Sequence, residues 1–581
     1  MRGTLNALDH LVNVHVLACD YDGTIADGGR CLPDVVQALA RVRDSGRKVL
    51  LVTGRMLPDL RSVCPDVDRM FDAVVAENGA LLYFPETREA RALGDAPEPA
   101  LVEELRRHGV PFDLGSSMIA TTEAWADPAL AAIRDTGVER TLVFNKGALM
   151  LLPGGVTKGT GLDAALTVLA LSAHNMVGIG DAENDHAFLA MSECAVAVAD
   201  AIPALRERAD YVTRAPGARG VIEFIQEHLV NDLAAIMPRL TRHRLTIGET
   251  GDGEPVTIAP HGARLLIVGP SASGKSTLTG LLVERLIESG RSVLLIDPEG
   301  DYQAFAELER VVVFGGGSER VLPTPDELRQ LLHQPRTSLV LNLSAMSRAE
   351  KVAYASKALG AVAIVRSTTG LPHWVILDEA HHIVPADGSP VGELLRAGTE
   401  SFCMSTLDVS ELAPDVRGLP NVVAATELAA FTAASRAAAS GRPPSLAGQP
   451  LAQGEAAIAW LGPQPRAQRF RVGKRRVQHR RHVRKYTEGE LPPDRSFYFR
   501  GPAGALNLRA SNLVRFVELA EGVDEPTWAW HLGQQDYSSW ARQQIKDDDL
   551  AGALAAVETA GLPAAESRRR ALDEIRARYT V

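Results

Sequence analysis

Two aspartates near the amino terminus, Asp20 and Asp22, are spaced so that both can act at one small site. They follow the apolar run 14–18, which is typical of a short buried parallel strand. Residues i and i+2 of an extended segment point the same way, so the two carboxylates share one side of the chain. Crowded carboxylates repel each other, and a divalent cation relieves that repulsion. Gly23 and Thr24 add a sharp turn and a hydroxyl for an anion, so the sequence predicts metal-assisted chemistry on an anionic group.

Three further polar motifs follow at the ends of predicted strands or the starts of predicted helices. They are Thr53-Gly54-Arg55, Lys158-Gly159 and Asp181-Ala182-Glu183-Asn184-Asp185. A hydroxyl beside free amides can hold a phosphoryl oxygen, and a lysine at a helix start adds positive charge there. Taken singly, each motif also fits an ordinary turn, a solvated lysine or an acidic helix start. Their order along the chain favours one phosphate and metal site.

The order D-x-D-G-T, T-G-R, K-G and G-D-x-x-N-D resembles the haloacid dehalogenase (HAD) phosphatases, closest to the Cof-type and phosphoglycolate- or sucrose-phosphate-phosphatase-like branch. The resemblance covers residues 1–230 and implies a Rossmann-like core with an inserted α+β cap at about 82–156. It implies that Asp20 attacks phosphorus to form an aspartyl-phosphate and that Asp22 is the general acid and base. The implied ligands are Asp20, the Asp22 carbonyl, Asp181 and Asp185 for Mg²⁺, and Thr53, Gly54, Lys158 and Asn184 for the phosphoryl group.

A second chemical centre follows an apolar strand in the middle of the chain. Residues 269–277 read G-x-x-x-x-G-K-[ST] between a predicted strand and a predicted helix, the context in which a P-loop holds nucleotide phosphates. Lys275 would neutralise the β- and γ-phosphates, and Ser276 would bind Mg²⁺. A later apolar strand ends in Asp378 and Glu379, which would support the metal and polarise the attacking water. The predicted ATP-binding residues are Gly269, Ser273, Gly274, Lys275, Ser276, Thr277 and Asp378.

The segment 297–302 reads D-P-E-G-D-Y and resembles the HerA/FtsK-like ATPases, ring motors that act on DNA in many members. The resemblance spans residues 245–472 and implies an α/β ATPase domain, ATP hydrolysis and a homo-oligomeric ring, a hexamer in this family. One position departs from the family pattern. Leu407 follows Thr406 where these ATPases carry a glutamine that senses the γ-phosphate, which argues against vigorous motor activity.

Composition limits the class of protein. The chain has 581 residues, too many for one hydrophobic core, and a net charge of −11, which gives no global affinity for nucleic acid or anionic membranes. We see no secretion leader and no long apolar run, so a cytoplasmic protein without a membrane partner is expected. The five cysteines lack metal-ligand spacing and are typical of reduced thiols.

The stretch 466–485 is a local exception to the acidic balance, with ten lysines and arginines and no acidic residue. Two interpretations stay open. The stretch could bind nucleic-acid phosphates, with Phe470 and Tyr486 for stacking, or it could be a connector that pairs with the chain's own acidic faces. Residues 486–581 predict a small, mainly helical accessory module whose aromatic residues favour packing.

Together these patterns predict an α/β multidomain enzyme with two activities. It would hydrolyse a small phosphomonoester with Mg²⁺, and its second domain would hydrolyse ATP. One alternative is a nucleic-acid-associated ATPase, for repair or phage defence, whose first domain removes phosphate from nucleic-acid ends or nucleotides. A polynucleotide kinase-phosphatase is another, although the inserted cap and Glu379 argue against it. In a further alternative, ATP occupancy only gates the phosphatase.

Overall fold

The protein's computed structural model describes residues 14–476 and 491–578, apart from short gaps. The gaps are residues 272, 317, 319, 399–400, 447, 492, 494, 503, 505 and 546. Two compact units form, and their residues are 14–300 with 308–476, and 301–307 with the described part of 477–581. The predicted α/β multidomain class with a helical carboxyl-terminal region is confirmed. Among the described residues, every helix is either too short or not apolar enough to cross a bilayer.

An eight-stranded sheet forms the core of the described amino-terminal region. Strands such as Val16–Cys19 are apolar and buried along their whole length, as expected for parallel strands covered on both faces. In spatial order the strands are Tyr211–Val212, Cys194–Ala197, Met176–Gly180, Val16–Cys19, Lys48–Val52, Ala73–Ala76, Leu81–Phe84 and Glu89–Ala92; they are parallel except that the last two are each antiparallel to the preceding neighbour. The helices described in this core are Pro33–Asp44, Leu57–Val63, Val67–Met70, Lys158–Val168, His186–Met191, Pro203–Arg208 and Gly217–Phe224.

A separate antiparallel sheet and two helices form a cap inserted into this region. The sheet order is Arg140–Asn145, Ala148–Pro153, Ile119–Thr122 and Asp113–Leu114, and the helices are Pro99–Arg107 and Ala126–Thr136. The cap begins later than the predicted start near residue 82, because Leu81–Phe84 and Glu89–Ala92 extend the core sheet. The predicted start rested on a change in side-chain character along the sequence. A hairpin joins a sheet edge through backbone hydrogen bonds, and side-chain character does not show where those bonds form.

An eleven-stranded sheet runs through the described middle region. Its strands lie in the order Pro255–Ile258, Leu245–Glu249, Arg466–Val472, Glu455–Trp460, Val422–Ala425, Arg264–Val268, Phe402–Thr406, Trp374–Leu377, Val293–Asp297, Ser338–Asn342 and Val311–Gly315. They are antiparallel up to Val422–Ala425 and parallel beyond it. The helices described here are Lys275–Glu288, Pro325–Leu332, Arg348–Thr369, Pro390–Gly398, Pro414–Arg417 and Leu428–Ala438. The parallel part places the ends of several strands at one edge, where ligands bind in open α/β sheets.

Buried polar side chains join the amino-terminal and middle regions within the first unit. Glu193 is buried and accepts a hydrogen bond from Arg291 Nη2 at 2.7 Å. His373 Nδ1 accepts from the Ser292 amide at 2.9 Å, and His373 Nε2 lies 2.9 Å from Ser172 Oγ. Burial lowers the pKa of His373 well below its ordinary value, which fits a neutral ring that accepts at one nitrogen and donates at the other. The two regions therefore share one buried polar network.

The second unit is mainly helical. Its described helices are Leu513–Gly522, Glu525–Gln534, Asp536–Trp540, Asp548–Thr559 and Ala564–Arg578, and its strands are Phe497–Phe499 and Leu508–Ala510. Trp528 and Tyr537 are buried and stacked, with ring centroids 4.3 Å apart. Their large apolar surfaces account for the use of these aromatic residues in packing, as the sequence predicted.

Candidate active sites

Asp20 and Asp181 lie at the carboxyl ends of two adjacent parallel strands. Each follows its strand directly, Val16–Cys19 and Met176–Gly180, and the strands are paired in register. Both side chains are buried, and Thr24 Oγ1 donates to Asp181 Oδ1 at 3.0 Å. The fold therefore brings two acids from opposite ends of the amino-terminal region to one edge of the sheet.

Lys158 connects Asp20 to a third acid, Asp185. The lysine is buried at the first residue of its helix, and its Nζ donates to Asp20 Oδ1 at 2.5 Å and to Asp185 Oδ1 at 2.6 Å. Asp185 also accepts from the Asp181 amide at 2.8 Å. One ligand oxygen from each of the three carboxylates lies within 4.8 Å of the others.

The electrostatics of this acidic cluster favour a bound cation. Burial raises the pKa of Asp20 well above its ordinary value, and the Asp185 carboxylate adds to the increase despite Lys158. Burial alone would lower the pKa of Lys158, but Asp185 and Asp20 raise it. The donor atoms are carboxylate oxygens, the hard ligands that Mg²⁺ takes in proteins, so the residues present fit that ion.

Asp22, the predicted general acid and base, pairs with Arg55. Arg55 donates from Nε to Asp22 Oδ2 at 2.7 Å and from Nη2 to Asp22 Oδ1 at 2.8 Å. Its remaining terminal nitrogen donates to Asp59 at 2.6 Å. Arg55 therefore fixes the position of the Asp22 side chain, a contact that the T-G-R motif alone did not predict.

The predicted phosphate-binding residues also meet at this sheet edge. Thr53 is buried at the end of its strand, and Gly54 follows it. A Cβ atom placed on Gly54 would lie 3.5 Å from Met150 Sδ and 3.7 Å from Asn184 Nδ2. Asn184 Nδ2 donates to Asn78 Oδ1 at 2.9 Å. Of the four predicted residues, Lys158 contacts the acids directly and Asn184 lies close to Gly54, while Met150 approaches Gly54 from the cap.

Lys146, a cap residue that the sequence did not single out, contacts the acidic cluster. Its Nζ donates to Asp181 Oδ2. Burial acts to lower the pKa of Lys146, but its hydrogen bond to Asp181 and the charges of Asp181, Asp20 and Asp185 raise it. The one available signal was the sequence Asn145-Lys146-Gly147, which suits a two-residue hairpin turn but does not say what the turn approaches.

The P-loop residues follow the Arg264–Val268 strand and begin the Lys275–Glu288 helix, of which Ser276 and Thr277 form the first turn. Lys275 is buried, and its Nζ lies 3.4 Å from the Pro270 carbonyl. Gly274 has φ of 103°, which requires glycine. Ser273 Oγ lies 2.5 Å from Thr426 Oγ1, and a Cβ atom on Gly269 would lie 2.0 Å from that same hydroxyl.

The two acids predicted for ATP hydrolysis share one serine. Ser405 Oγ donates to Asp378 Oδ1 at 2.5 Å and accepts from the Glu379 amide at 3.1 Å. Lys275 Nζ lies 3.7 Å from Glu379 Oε1, so the strand end and the P-loop lie close together. Glu379 has φ of 39°, a left-handed conformation that a residue with a side chain adopts at a cost of about 1–3 kcal/mol and that occurs at functional sites.

His381 is a further residue of this second site. Its Nδ1 lies 3.3 Å from Thr406 Oγ1 and 3.6 Å from Glu379 Oε2. Burial lowers the pKa of His381, and the neighbouring His382 adds to the effect. Leu407 follows the Phe402–Thr406 strand, so the position after the terminal threonine carries an apolar side chain, as the sequence indicated.

The basic stretch 466–485 is described only up to residue 476; residues 477–485 and Tyr486 lie outside the described residues. Phe470 is buried in its strand, so its predicted availability for stacking is wrong. Arg475 Nε lies 3.1 Å from Glu284 Oε1. The described part of the stretch therefore includes a pair with the chain's own acidic side chains.

Comparisons with known proteins identify both parts of the first unit. Residues 17–114 and 116–225 match the family model described as haloacid dehalogenase-like hydrolase, and residues 240–359 match the central domain of the helicase HerA. A phosphoglycolate phosphatase of Methanothermobacter thermautotrophicus is 35% identical over 225 residues, covering 37% of this chain and 99% of the relative. A phosphoglycolate phosphatase of Haloarcula marismortui is 33% identical over 222 residues, covering 36% of this chain and 95% of the relative. Both predicted resemblances are confirmed.

Proposed function

The chain belongs to the haloacid dehalogenase-like hydrolases, and from that premise we propose that it is a bifunctional enzyme. Its first activity is the Mg²⁺-dependent hydrolysis of a small phosphomonoester, and its second is ATP hydrolysis by the HerA-type domain. The observation that carries the first activity is the acidic cluster of Asp20, Asp181 and Asp185 around Lys158. A cation-binding group of acids beside a buried lysine suits a transferring phosphoryl group, whose charge needs positive partners on several sides.

In the proposed phosphatase reaction, Asp20 attacks phosphorus and the ester bond to the leaving oxygen breaks. Asp22 gives a proton to that oxygen, then takes a proton from the water that hydrolyses the aspartyl-phosphate. Lys158 orients Asp20 and neutralises phosphoryl charge, and Thr53 donates a hydrogen bond to the same group. Asp20, the Asp22 carbonyl and Asp181 would hold Mg²⁺, which would supply further neutralisation of the phosphoryl oxygens.

The substrate we propose is compact. The cap reaches the acidic cluster through Lys146, and a cap in this position excludes water and hinders long substrates. The relatives named as phosphoglycolate phosphatases make that small phosphomonoester the first compound to test. Because the cap hinders long substrates, it also argues against nucleic-acid ends as the main substrate.

The proposed ATPase uses the second site. Lys275 and Ser276 bind the phosphates and Mg²⁺, Asp378 supports the metal, and Glu379 polarises the attacking water. Leu407 predicts slow turnover, because the glutamine that the HerA/FtsK pattern places there is replaced. The HerA-type resemblance also supports a homo-oligomeric ring, which light scattering of the purified protein tests.

The deciding experiment measures phosphate release by the purified full-length protein from phosphoglycolate, sugar phosphates, nucleotides and 5′-phosphorylated oligonucleotides. Each compound is tested with and without Mg²⁺ and with and without ATP. We expect Mg²⁺-dependent release from a small phosphomonoester and separate, slower release from ATP. Release from none of the phosphomonoesters at saturating Mg²⁺ would refute the phosphatase proposal. Stimulation of ATP hydrolysis by DNA or RNA would instead favour the nucleic-acid-associated alternative.

A further inference from the structure

The tip of one cap hairpin is directed into the phosphatase site by its backbone geometry. Arg140–Asn145 and Ala148–Pro153 pair in antiparallel register, with Asn145 opposite Ala148, so Lys146 and Gly147 alone form the turn. Lys146 has φ of 46° and Gly147 has φ of 84°, the left-handed pair of a tight hairpin turn. Such a turn holds its side chains in a defined direction, so the reach of Lys146 is set by the cap sheet.

Lys146 reaches the residues that surround the reacting phosphorus. Its Nζ donates to Asp181, and it would lie 2.9 Å from a Cβ atom placed on Gly23, in the D-x-D-G-T segment. The Lys146 side chain is 51% exposed, whereas Asp181 is buried. The lysine thus approaches the site from a solvent-exposed position, whereas Lys158 is buried.

Lys158 and Lys146, the two lysines of the site, differ in their carboxylate partners. Lys158 already has two carboxylate partners, Asp20 and Asp185, at 2.5 and 2.6 Å. Lys146 has Asp181, which also accepts from Thr24 and belongs to the acids that fit Mg²⁺. A divalent cation and Lys146 compete for that carboxylate, so binding of the cation directs the ammonium group to another anion. In the proposed reaction, an anionic group on the substrate would be such a partner.

The surroundings of Lys146 favour a short substrate over a sugar. Met150, three residues beyond the turn on the next strand, has its Sδ 3.5 Å from a Cβ atom placed on Gly54. Met118 and Met150 are buried in one apolar cluster, with Met56 packed against it. Thioethers are weak hydrogen-bond acceptors and offer no donors, so Met150 beside Gly54 gives sugar hydroxyls little to bind.

The cap is also tied to the core, which holds Lys146 near the site. Glu77 is buried in the core and accepts from the amides of Ser116 at 2.9 Å and Ser117 at 3.0 Å in the cap. A Cβ atom on Gly115 would lie 2.6 Å from Glu77 Oε2, so the cap backbone approaches this carboxylate closely. Backbone hydrogen bonds to a buried carboxylate are strong, and they limit how far the cap departs from the core.

We propose that Lys146 is a specificity-determining residue that selects phosphomonoesters carrying a carboxylate next to the phosphate ester. The proposal rests on the proposed phosphatase function and adds the chemical group that the cap recognises. The ammonium group of Lys146 would pair with the substrate carboxylate, while Lys158 and Thr53 hold the phosphoryl group. The selected substrates are therefore short and doubly anionic.

The test compares two esters of nearly equal size, 2-phosphoglycolate and 2-hydroxyethyl phosphate, which differ in a carboxylate or a hydroxymethyl group. For the wild type, Lys146→Ala and Lys146→Arg, we would measure the ratio of kcat/KM for the two esters. We expect the ratio to fall about 10- to 100-fold in Lys146→Ala, the range of a charge-assisted hydrogen bond, and to be largely restored in Lys146→Arg. The matched control is Arg134→Ala, which removes an exposed cation from a cap helix and should keep the ratio.

Binding supplies a second readout that does not depend on turnover. In the Asp20→Asn background, calorimetry with Mg²⁺ present should show weaker binding of 2-phosphoglycolate after Lys146→Ala, by about the same 10- to 100-fold. An equal loss for both esters, or an unchanged ratio, would overturn the role of Lys146 while leaving the phosphatase proposal intact. Hydrolysis of neither ester, nor of any other phosphomonoester, by the wild type would refute the phosphatase proposal itself.

Discussion

Two buried lysines, each at the first residue of a helix, are held in different ways. Lys158 of the phosphatase site lies between Asp20 and Asp185, with contacts of 2.5 and 2.6 Å. Lys275 of the P-loop lies 3.4 Å from a carbonyl oxygen and 3.7 Å from Glu379. The first lysine is part of a charge network that folding itself assembles. The second has looser contacts with the protein, as suits a group whose strong partners are nucleotide phosphates.

The different contacts of the two lysines indicate that the two sites accommodate an anion in different ways. The phosphatase site has an excess of buried carboxylates, whose mutual repulsion favours a cation beside them. The P-loop presents a cation and backbone amides, while its two acids, Asp378 and Glu379, are arranged by Ser405. Substitutions at matched positions should therefore affect catalysis, stability and turnover differently in the two sites.

The largest expected effect separates the two activities completely. Asp20→Asn should reduce phosphomonoester hydrolysis about 10³-fold or more, because an amide does not replace the nucleophile, while ATP hydrolysis stays near wild type. Lys275→Ala should give the reverse pattern. Both rates are measured on the same preparations by phosphate release. Retained phosphatase activity in Asp20→Asn would contradict the nucleophile assignment.

The next prediction concerns stability. Lys158→Met should lower the free energy of unfolding of the first unit by about 3–5 kcal/mol, because it leaves two buried carboxylates without their counter-charge. Lys275→Met should cost less, about 1 kcal/mol, since the contacts of Lys275 Nζ with the described residues are longer, at 3.4 and 3.7 Å. Urea unfolding followed by circular dichroism measures both. Equal losses would show that the two lysines are held alike.

A smaller effect, an increase in the rate of ATP hydrolysis, is expected at the second site. Leu407→Gln should raise the ATP turnover number about tenfold, equivalent to about 1.4 kcal/mol, by restoring a side chain that can orient water or contact the γ-phosphate. Leu407→Met is the matched control, because it changes the side chain without adding an amide. No increase in Leu407→Gln would mean that another group, such as His381 beside Glu379, already supplies this function.

The smallest effect tests the buried network between the phosphatase and ATPase regions. The pKa of His373 is lowered from the ordinary value of 6.5, so below that pH the unfolded chain takes up a proton that the folded protein excludes. Stability should therefore fall as the pH drops, by about 1 kcal/mol from pH 6.5 to 5.5 for this group. His373→Gln, which can keep both hydrogen bonds, should remove that part of the pH dependence. A slope identical to that of the wild type in thermal unfolding would exclude His373 as its source.

Much of both sites could be predicted from the sequence because the chemistry lies in short local motifs. Asp20, Asp181 and Lys275 each directly follow an apolar strand or begin a helix, and such patterns are readable from spacing alone. The start of the cap could not be predicted well, since the Leu81–Phe84 and Glu89–Ala92 strands look like the cap but pair with the core. The predicted exposure of Phe470 failed because burial depends on distant partners.

By itself, the sequence determined which residue types end each strand, and hence the order of an acidic cluster and a P-loop along one chain. Only the tertiary structure decided that Lys146 of the cap contacts Asp181, that Arg55 pairs with Asp22, and that His373 and Ser172 connect two regions. The physical reason is distance along the chain. Local motifs follow from backbone propensity within a few residues, whereas these contacts join side chains from separate elements that meet only when the sheets and the cap have packed.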